Sequence, residues 1–149
     1  MKSEPSCFSI EDLAHAPEQT AAWDGVRNYQ ARNFMRDTMK KGDLVFFYHS
    51  SCPVPAIMGT AQVVKEAYPD HTAWTLDSEH PDPKSTPSHP LWYMVDIQLQ
   101  SIWKEPLSLQ TLKQQTALEN MRLLQKGNRL SVLPVTPEEW KYIVGIAKT

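Results

Sequence analysis

The chain has 149 residues, 41% of them hydrophobic and 21% charged, and a formal net charge of −2. That balance fits one globular domain, long enough to bury a core without a metal or disulfide staple. It is too polar for a membrane protein and lacks the basic excess of a protein that coats polyanions.

Met1–Lys2–Ser3–Glu4–Pro5 leads into no apolar signal core, and the longest apolar run is only Leu44 to Tyr48. A bilayer span needs ~20 residues, so a cytoplasmic protein of bacterial type is expected, nuclear if the source is eukaryotic. Two cysteines, Cys7 and Cys52, and no CxxC exclude a disulfide scaffold. Ser9 with Asp12 three residues later has the capping-box spacing, which predicts a short helix over Ser9 to His15 closed by Pro17. The main interior helix is predicted over Arg27 to Lys41, with Ala31, Phe34, Met35 and Thr38 on one face and Gly42 as its stop. Strands follow at Asp43 to His49, at Ile57 to Ala67 with Gly59 as a bulge or close approach, and at Leu91 to Trp103.

Between the last two strands, His71 to Pro90 holds four prolines and three histidines. It reads as an exposed irregular loop, because no His pair has the i, i+4 spacing of a helical metal site. Helices are predicted at Leu107 to Gln114 and Ala117 to Gln125, and a short strand at Leu130 to Leu133. A final helix opens at Thr136–Pro137–Glu138–Glu139 with a second capping box. Strands mixed with short helices, without regular βαβ alternation, make the fold class α+β with a mixed or antiparallel sheet.

Arg27, Arg32, Arg36, Lys40 and Lys41 against Asp37 give the interior helix +4, which leaves −6 on the rest of the chain. A solvated helix face is the usual meaning of such a run. A helix start that carries Arg27 and Asn28 also suits a phosphate or a polar ligand edge.

The strings Lys2–Ser3–Glu4–Pro5, then Trp23–Asp24–Gly25–Val26–Arg27–Asn28–Tyr29–Gln30–Ala31–Arg32–Asn33, then Val45–Phe46–Phe47–Tyr48–His49–Ser50, with a later Leu130–Ser131–Val132–Leu133–Pro134–Val135, resemble the EVE domain family, including its thymocyte nuclear protein 1-like members. The likeness runs over essentially the whole chain as a single domain. It implies a PUA-like fold, a small, strongly bent mixed β barrel or sheet flanked by short helices. Family members usually carry a few more residues before the first string, so the first strand is expected to be short.

The resemblance also implies a reader of modified nucleobases, chiefly modified cytosine such as 5-methyl- or 5-hydroxymethylcytosine in DNA, and no catalytic reaction. A base in a duplex must be flipped out to be read singly. Trp23 and Tyr48 are then the expected stacking walls, with Trp74 a third candidate. Asn28 offers a donor and an acceptor, Ser3, Ser50 and Ser131 offer hydroxyls, and Glu4 offers an acceptor for an exocyclic amine. Arg27, Arg32 and Lys2 would hold flanking phosphates. Val26, Ala31 and His49 complete the ligand-binding set. Each has a plainer reading: Trp23 and Tyr48 as core aromatics, Arg32 in a structural ion pair, Glu4 as a cap, His49 as a satisfied core histidine. Trp23→Ala and Asn28→Ala are expected to abolish binding and leave the fold intact.

Two other functions stay open: an RNA-binding PUA-like module, and a small enzyme on nucleic acid or nucleotides using Glu4, His49 and Cys52. The expected partner is nucleic acid, modified DNA ahead of RNA. No membrane, no metal and no cofactor is expected, and the protein is read as a monomer with unknown protein partners.

Overall fold

A computed structural model describes residues 1–75 and 77–147. Five strands form one sheet: β1 (Lys2–Ser3), β2 (Thr20–Ala22), β3 (Leu44–His49), β4 (Ala56–Pro69) and β5 (Tyr93–Ser108). Their order across the sheet is β1-β3-β4-β5-β2, with β1 parallel to β3 and every other pairing antiparallel. The sheet is therefore mixed, as expected, and its first strand is two residues long. Four register shifts between β4 and β5 and one between β3 and β4 bend it. Gly59 sits at one of these shifts. A Cβ there would fall 2.1 Å from the Ser101 carbonyl oxygen, so the close approach expected at this glycine is real.

β3 reads as an unbroken apolar run because both its faces are covered. Val45 and Phe47 enter one core with Ile10, Leu13, Trp23, Met35, Val95 and Ile97. Phe46 and Tyr48 enter a second with Ile57, Trp103, Leu112, Leu118, Met121 and Ile143. Helices α1 (Ile10–His15) and α2 (Tyr29–Asp37) cover the first face. Helices α3 (Leu109–Lys113) and α4 (Pro137–Ile146) cover the second. Both predicted capping boxes are formed: Ser9 with Asp12 opens α1, and Thr136 with Glu139 opens α4.

Several elements differ from the sequence expectations. α2 begins two residues later than predicted because Asn28 is its N-cap, accepting from the Ala31 N–H at 3.0 Å. It ends early because the Asp43 carboxylate accepts from the Lys40 N–H at 2.9 Å, which holds the chain in a turn through Gly42 at φ +96°. α3 starts only at Leu109, since Leu107 and Ser108 still pair with Ile57 and Ala56. Ala117 to Gln125 is not an α-helix but two 3-10 turns, Thr116–Leu118 and Arg122–Leu124. Its apolar residues Leu118, Met121 and Leu124 are spaced by three, and each donates its N–H to the residue three before it. Leu130 to Leu133 forms no strand; Val132 is buried in the first core, and the Lys2 N–H donates to the Ser131 carbonyl at 2.7 Å.

The loop between β4 and β5 is not the exposed excursion expected of it. Asp70, Ala73 and Ser85 are buried, and the Trp92 indole N–H donates to the Asp82 carboxylate at 2.6 Å. Leu76, within this loop, lies outside the described residues.

Candidate base-binding pocket

The end of β2 leads into a tight bend at Gly25, and the bend is fixed by one buried carboxylate. Asp70 is fully buried and accepts from the Gly25 N–H (2.9 Å), the Arg27 guanidinium (3.0 Å), the Thr72 N–H (2.9 Å) and the Thr72 hydroxyl (2.5 Å). Burial alone would raise its pKa. The hydrogen bonds from Thr72, Gly25 and Arg27 outweigh it and hold the carboxyl below the ordinary carboxylate range. Arg27 also donates twice to the His80 carbonyl, which straps the loop against the bend. Gly25 has φ +75°, and a Cβ on it would meet the His80 ring at 2.6 Å. The bend thus needs glycine both for its backbone angle and for the ring packed over it.

Beside this bracket lies a cavity of about 320 Å³, lined by Cys7, Phe8, Ala22, Trp23, Asp24, Glu79 and His80. That volume is in the range of small-ligand sites. Trp23 is 8% exposed and packs edge-on against Phe47, with ring centroids 5.6 Å apart. Its inner side belongs to the core and its remaining surface to the cavity. Asp24 retains contact with solvent, yet its pKa is raised, first by partial burial and then by the Asp70 carboxylate; His80 and Arg27 oppose the shift. A larger groove of about 530 Å³ lies between α2, β3 and the start of α4, lined by Phe34, Met39, Leu44, Val132, Pro134 and Trp140 among others. It is mostly apolar, and its one carboxylate, Asp43, is occupied with the Lys40 N–H.

Of the residues expected to bind ligand, Trp23 alone lines the 320 Å³ cavity. Tyr48 is in the other core, on the opposite face of the sheet, so the two aromatics do not flank one space. Val26 and Ala31 are buried in the first core. Trp74 closes a 3-10 turn in the loop and is outside the cavity lining. Arg27 is spent on Asp70, Thr72 and the His80 carbonyl. Arg32 donates to the Leu91 carbonyl (2.8 Å) and to Asn33 (2.9 and 2.7 Å), and lies 4.8 Å over the Tyr29 ring. Tyr29 in turn stacks on Trp92 at 4.7 Å.

The first string builds a cavity wall without touching the cavity. The Glu4 carbonyl accepts from the Cys7 and Phe8 N–H groups at 2.9 Å each, and the Ser3 hydroxyl donates to the Phe8 carbonyl at 2.5 Å. Together they set Phe8 and Cys7 against Trp23. Ser50 and Lys2 make backbone contacts, Ser50 N–H to the Ser3 carbonyl and Lys2 N–H to that of Ser131. The Lys2 pKa is lowered by burial. His49 is 7% exposed, and its Nε2 accepts from the Ile10 N–H at 3.1 Å, so it caps the first turn of α1. Its pKa is lowered by burial, against a weaker opposing pull from Glu11.

Sequence reasoning missed Phe8, Asp24, Glu79 and His80. Asp24 was inside the quoted motif, between Trp23 and Gly25. Phe8 follows the first string by three residues, within reach of the turn it starts. Nothing local marks Glu79 and His80, which arrive from the loop through Arg27 and Gly25.

The family model for the EVE domain matches residues 1–146. Thymocyte nuclear protein 1 of Mus musculus is 46% identical over 166 aligned residues, spanning 100% of this chain and 73% of that protein. A Pseudomonas syringae protein of known crystal structure is 54% identical and superposes with a TM-score of 0.92, over 98% of this chain and 96% of that one. The human THYN1 protein, solved in complex with DNA containing 5-methylcytosine, is 45% identical with a TM-score of 0.92, over 98% of this chain and 94% of that one. With motifs, sheet and chain-length match in agreement, the chain belongs to the EVE domain family.

Proposed function

We propose that this protein is a reader that takes one modified nucleobase, a modified cytosine in DNA, into the cavity bounded by Trp23, Phe8 and Asp24. The supporting observation is a base-sized space with an aromatic surface and a carboxylate, in a family member 45% identical to a protein solved with 5-methylcytosine-containing DNA. Stacking on an aromatic surface contributes ~1–3 kcal/mol per base. Two arginines lie together beside it: Arg32, stacked on Tyr29, and Arg27 both sit over the Trp92 ring, at 6.0 and 5.6 Å from its centroid, and would supply positive charge to a bound strand.

A binding role is favoured over a catalytic one by His49. Its Nε2 lone pair is occupied by the Ile10 N–H, which leaves the His49–Cys52 pair without a base aimed at a nucleophile.

The test is a titration of short oligonucleotides carrying one cytosine, 5-methylcytosine, 5-hydroxymethylcytosine or N6-methyladenine, read by tryptophan fluorescence. Tighter binding to one modified base than to its unmodified match is expected. Burial of the methyl alone gives ~0.8 kcal/mol, about fourfold. Equal affinities for all four would overturn the reading.

A further inference from the structure

We propose that Asp24 selects the base by its edge: its carboxyl accepts from the exocyclic amine of cytosine and shares one proton with the adjacent ring nitrogen, so the pocket takes an amino base over a keto base with the same 5-substituent. This rests on the proposed reader function and names the specificity element of that same cavity.

Three observations carry it. The first is placement. Asp24 lines the cavity next to Trp23, so a ring lying on the indole presents its edge towards a carboxylate one residue away in the chain. The second is rigidity. The residues on both sides of Asp24 are pinned, Trp23 N–H to the Val95 carbonyl at 2.7 Å and Gly25 N–H to Asp70 at 2.9 Å, so the side chain is presented from a fixed support. The third is availability. Among the described residues Asp24 makes no ion pair, because the nearby guanidinium of Arg27 is held by Asp70 and the His80 carbonyl. Asp24 is exposed and lines the cavity, so its carboxyl is open to a ligand there.

The chemistry of the edge then discriminates. Cytosine shows an N–H donor beside a weakly basic ring nitrogen. A carboxyl and that nitrogen have comparable basicity, so one proton shared between them gives two parallel charge-assisted hydrogen bonds. Thymine, which carries the same 5-methyl group, shows a ring N–H beside a carbonyl oxygen that is far less basic. It cannot share the proton: an ionised carboxylate sets one oxygen against that carbonyl oxygen, and a fully protonated carboxyl offers only a neutral O–H bond to it, without the charge assistance of the cytosine pair. The raised pKa of Asp24 agrees with a group readied to take up a proton. Where Asp24 is ionised in the absence of base, forming this pair takes up one proton. Affinity for 5-methylcytosine therefore rises as the pH falls, by up to about tenfold per pH unit above the carboxyl pKa.

The other charged or titratable groups around Asp24 are Asp70, His80, Arg27, Glu79 and Tyr68. All remain in an Asp24→Asn variant, which isolates the Asp24 proton. Its amide donates to the ring nitrogen and accepts from the amine with no proton uptake.

The experiment compares single-stranded oligonucleotides identical except for 5-methylcytosine, thymine or an abasic site at one position, at pH 5.5 to 8.0, with thermal melts at each pH. The wild-type protein is expected to bind the 5-methylcytosine strand at least tenfold tighter than the thymine strand at pH 6, and to bind 5-methylcytosine more tightly as the pH falls. Asp24→Ala should bring the ratio to within about twofold, and Asp24→Asn should make 5-methylcytosine binding independent of pH. If Asp24→Ala keeps the wild-type ratio, or Asp24→Asn keeps the wild-type pH slope, the assignment of Asp24 is wrong while the reader function stands. If the wild-type protein does not distinguish either base from the abasic strand, both fail.

Discussion

The two faces of the sheet bury similar aromatic and aliphatic side chains but treat polar groups differently. Beneath α3 and α4, Phe46, Ile57, Trp103, Leu112 and Ile143 pack together, and the polar contacts nearby are neutral, such as the Tyr142 hydroxyl to the Gln115 side chain at 2.6 Å. Beneath α1 and α2, and in the loop strapped to them, lie all three of the described buried polar residues: His49, Asp70 and Ser85. Apolar packing fills the second core to no more specific end than stability. Burying a carboxylate on the first requires donors that converge from the bend and the loop, and those same donors hold the walls of the cavity. The proposed pocket lies where the fold tolerates an expensive group and surrounds it completely.

Substitutions on the two faces should therefore separate stability from binding. Asp70→Ala leaves the Arg27 guanidinium and the Gly25 N–H without their acceptor. Breaking such a pair costs about 3 kcal/mol, and base affinity measured on the folded fraction should fall as well. Ile143→Ala, fully buried beneath α4, should cost a similar ~2–5 kcal/mol by cavity formation. Its folded molecules should bind as the wild type does. Urea unfolding paired with oligonucleotide titration checks both, and equal losses of folded-state affinity would mean the faces are not independent. Gly25→Ala sharpens the contrast. Strain at φ +75° and the collision with His80 should cost about 2 kcal/mol. Displacement of His80 from the cavity should make the loss of affinity larger than the loss of stability suggests.

The smallest effect is a pH dependence at His49. Its folded pKa lies below the ordinary value of 6.5, because burial disfavours the imidazolium. As the pH falls below 6.5 the unfolded chain takes up a proton that the native protein refuses, so stability is full above that pH and declines beneath it. The slope is bounded by the one-proton limit of ~1.4 kcal/mol per pH unit. A melting series on the wild type and His49→Gln from pH 7.5 to 5.0 checks the sign; the decline should be shallower in the variant.

Much of the fold was legible in the residues themselves. Capping boxes at Ser9 and Thr136 are local chemistry and were found at the right positions. So were the strands: β3 to within one residue at its start and without error at its end, β4 and β5 by their centres and not their ends. What failed depended on competition. Asp43 reaching back to Lys40 stops α2, and a three-residue apolar spacing makes 3-10 turns where a helix was predicted. At the candidate site, the motif leads to the cavity, but most of the side chains it named do not line it. Trp23 is at the cavity. Arg27, Ser3 and Glu4 act one step behind it, and Tyr48 is sent to the other face by the period-2 alternation that makes β3 a strand. The expected clean loss of binding in Trp23→Ala and Asn28→Ala is revised for the same reason. Trp23 is core, at ~3–5 kcal/mol for truncation, and Asn28 is an N-cap, at ~1 kcal/mol. Long-range partners such as His80 for Gly25 have no local signature to read.

The contact between Arg27 and Asp70 joins residues 43 apart in the chain. The ladder of β3 with β4 closes a far shorter loop and requires less ordering before it gains anything in return. During folding the β3–β4 pairing can therefore form while the bracket is still open, and the cavity wall that depends on the bracket closes after it. In the native ensemble, fluctuations that release the loop from Arg27 would open that wall and leave the β3–β4 pairing intact. Capture of a base would then draw on molecules in which this later closure is already made, and bound ligand would slow the opening by stabilising the contacts between bend and loop.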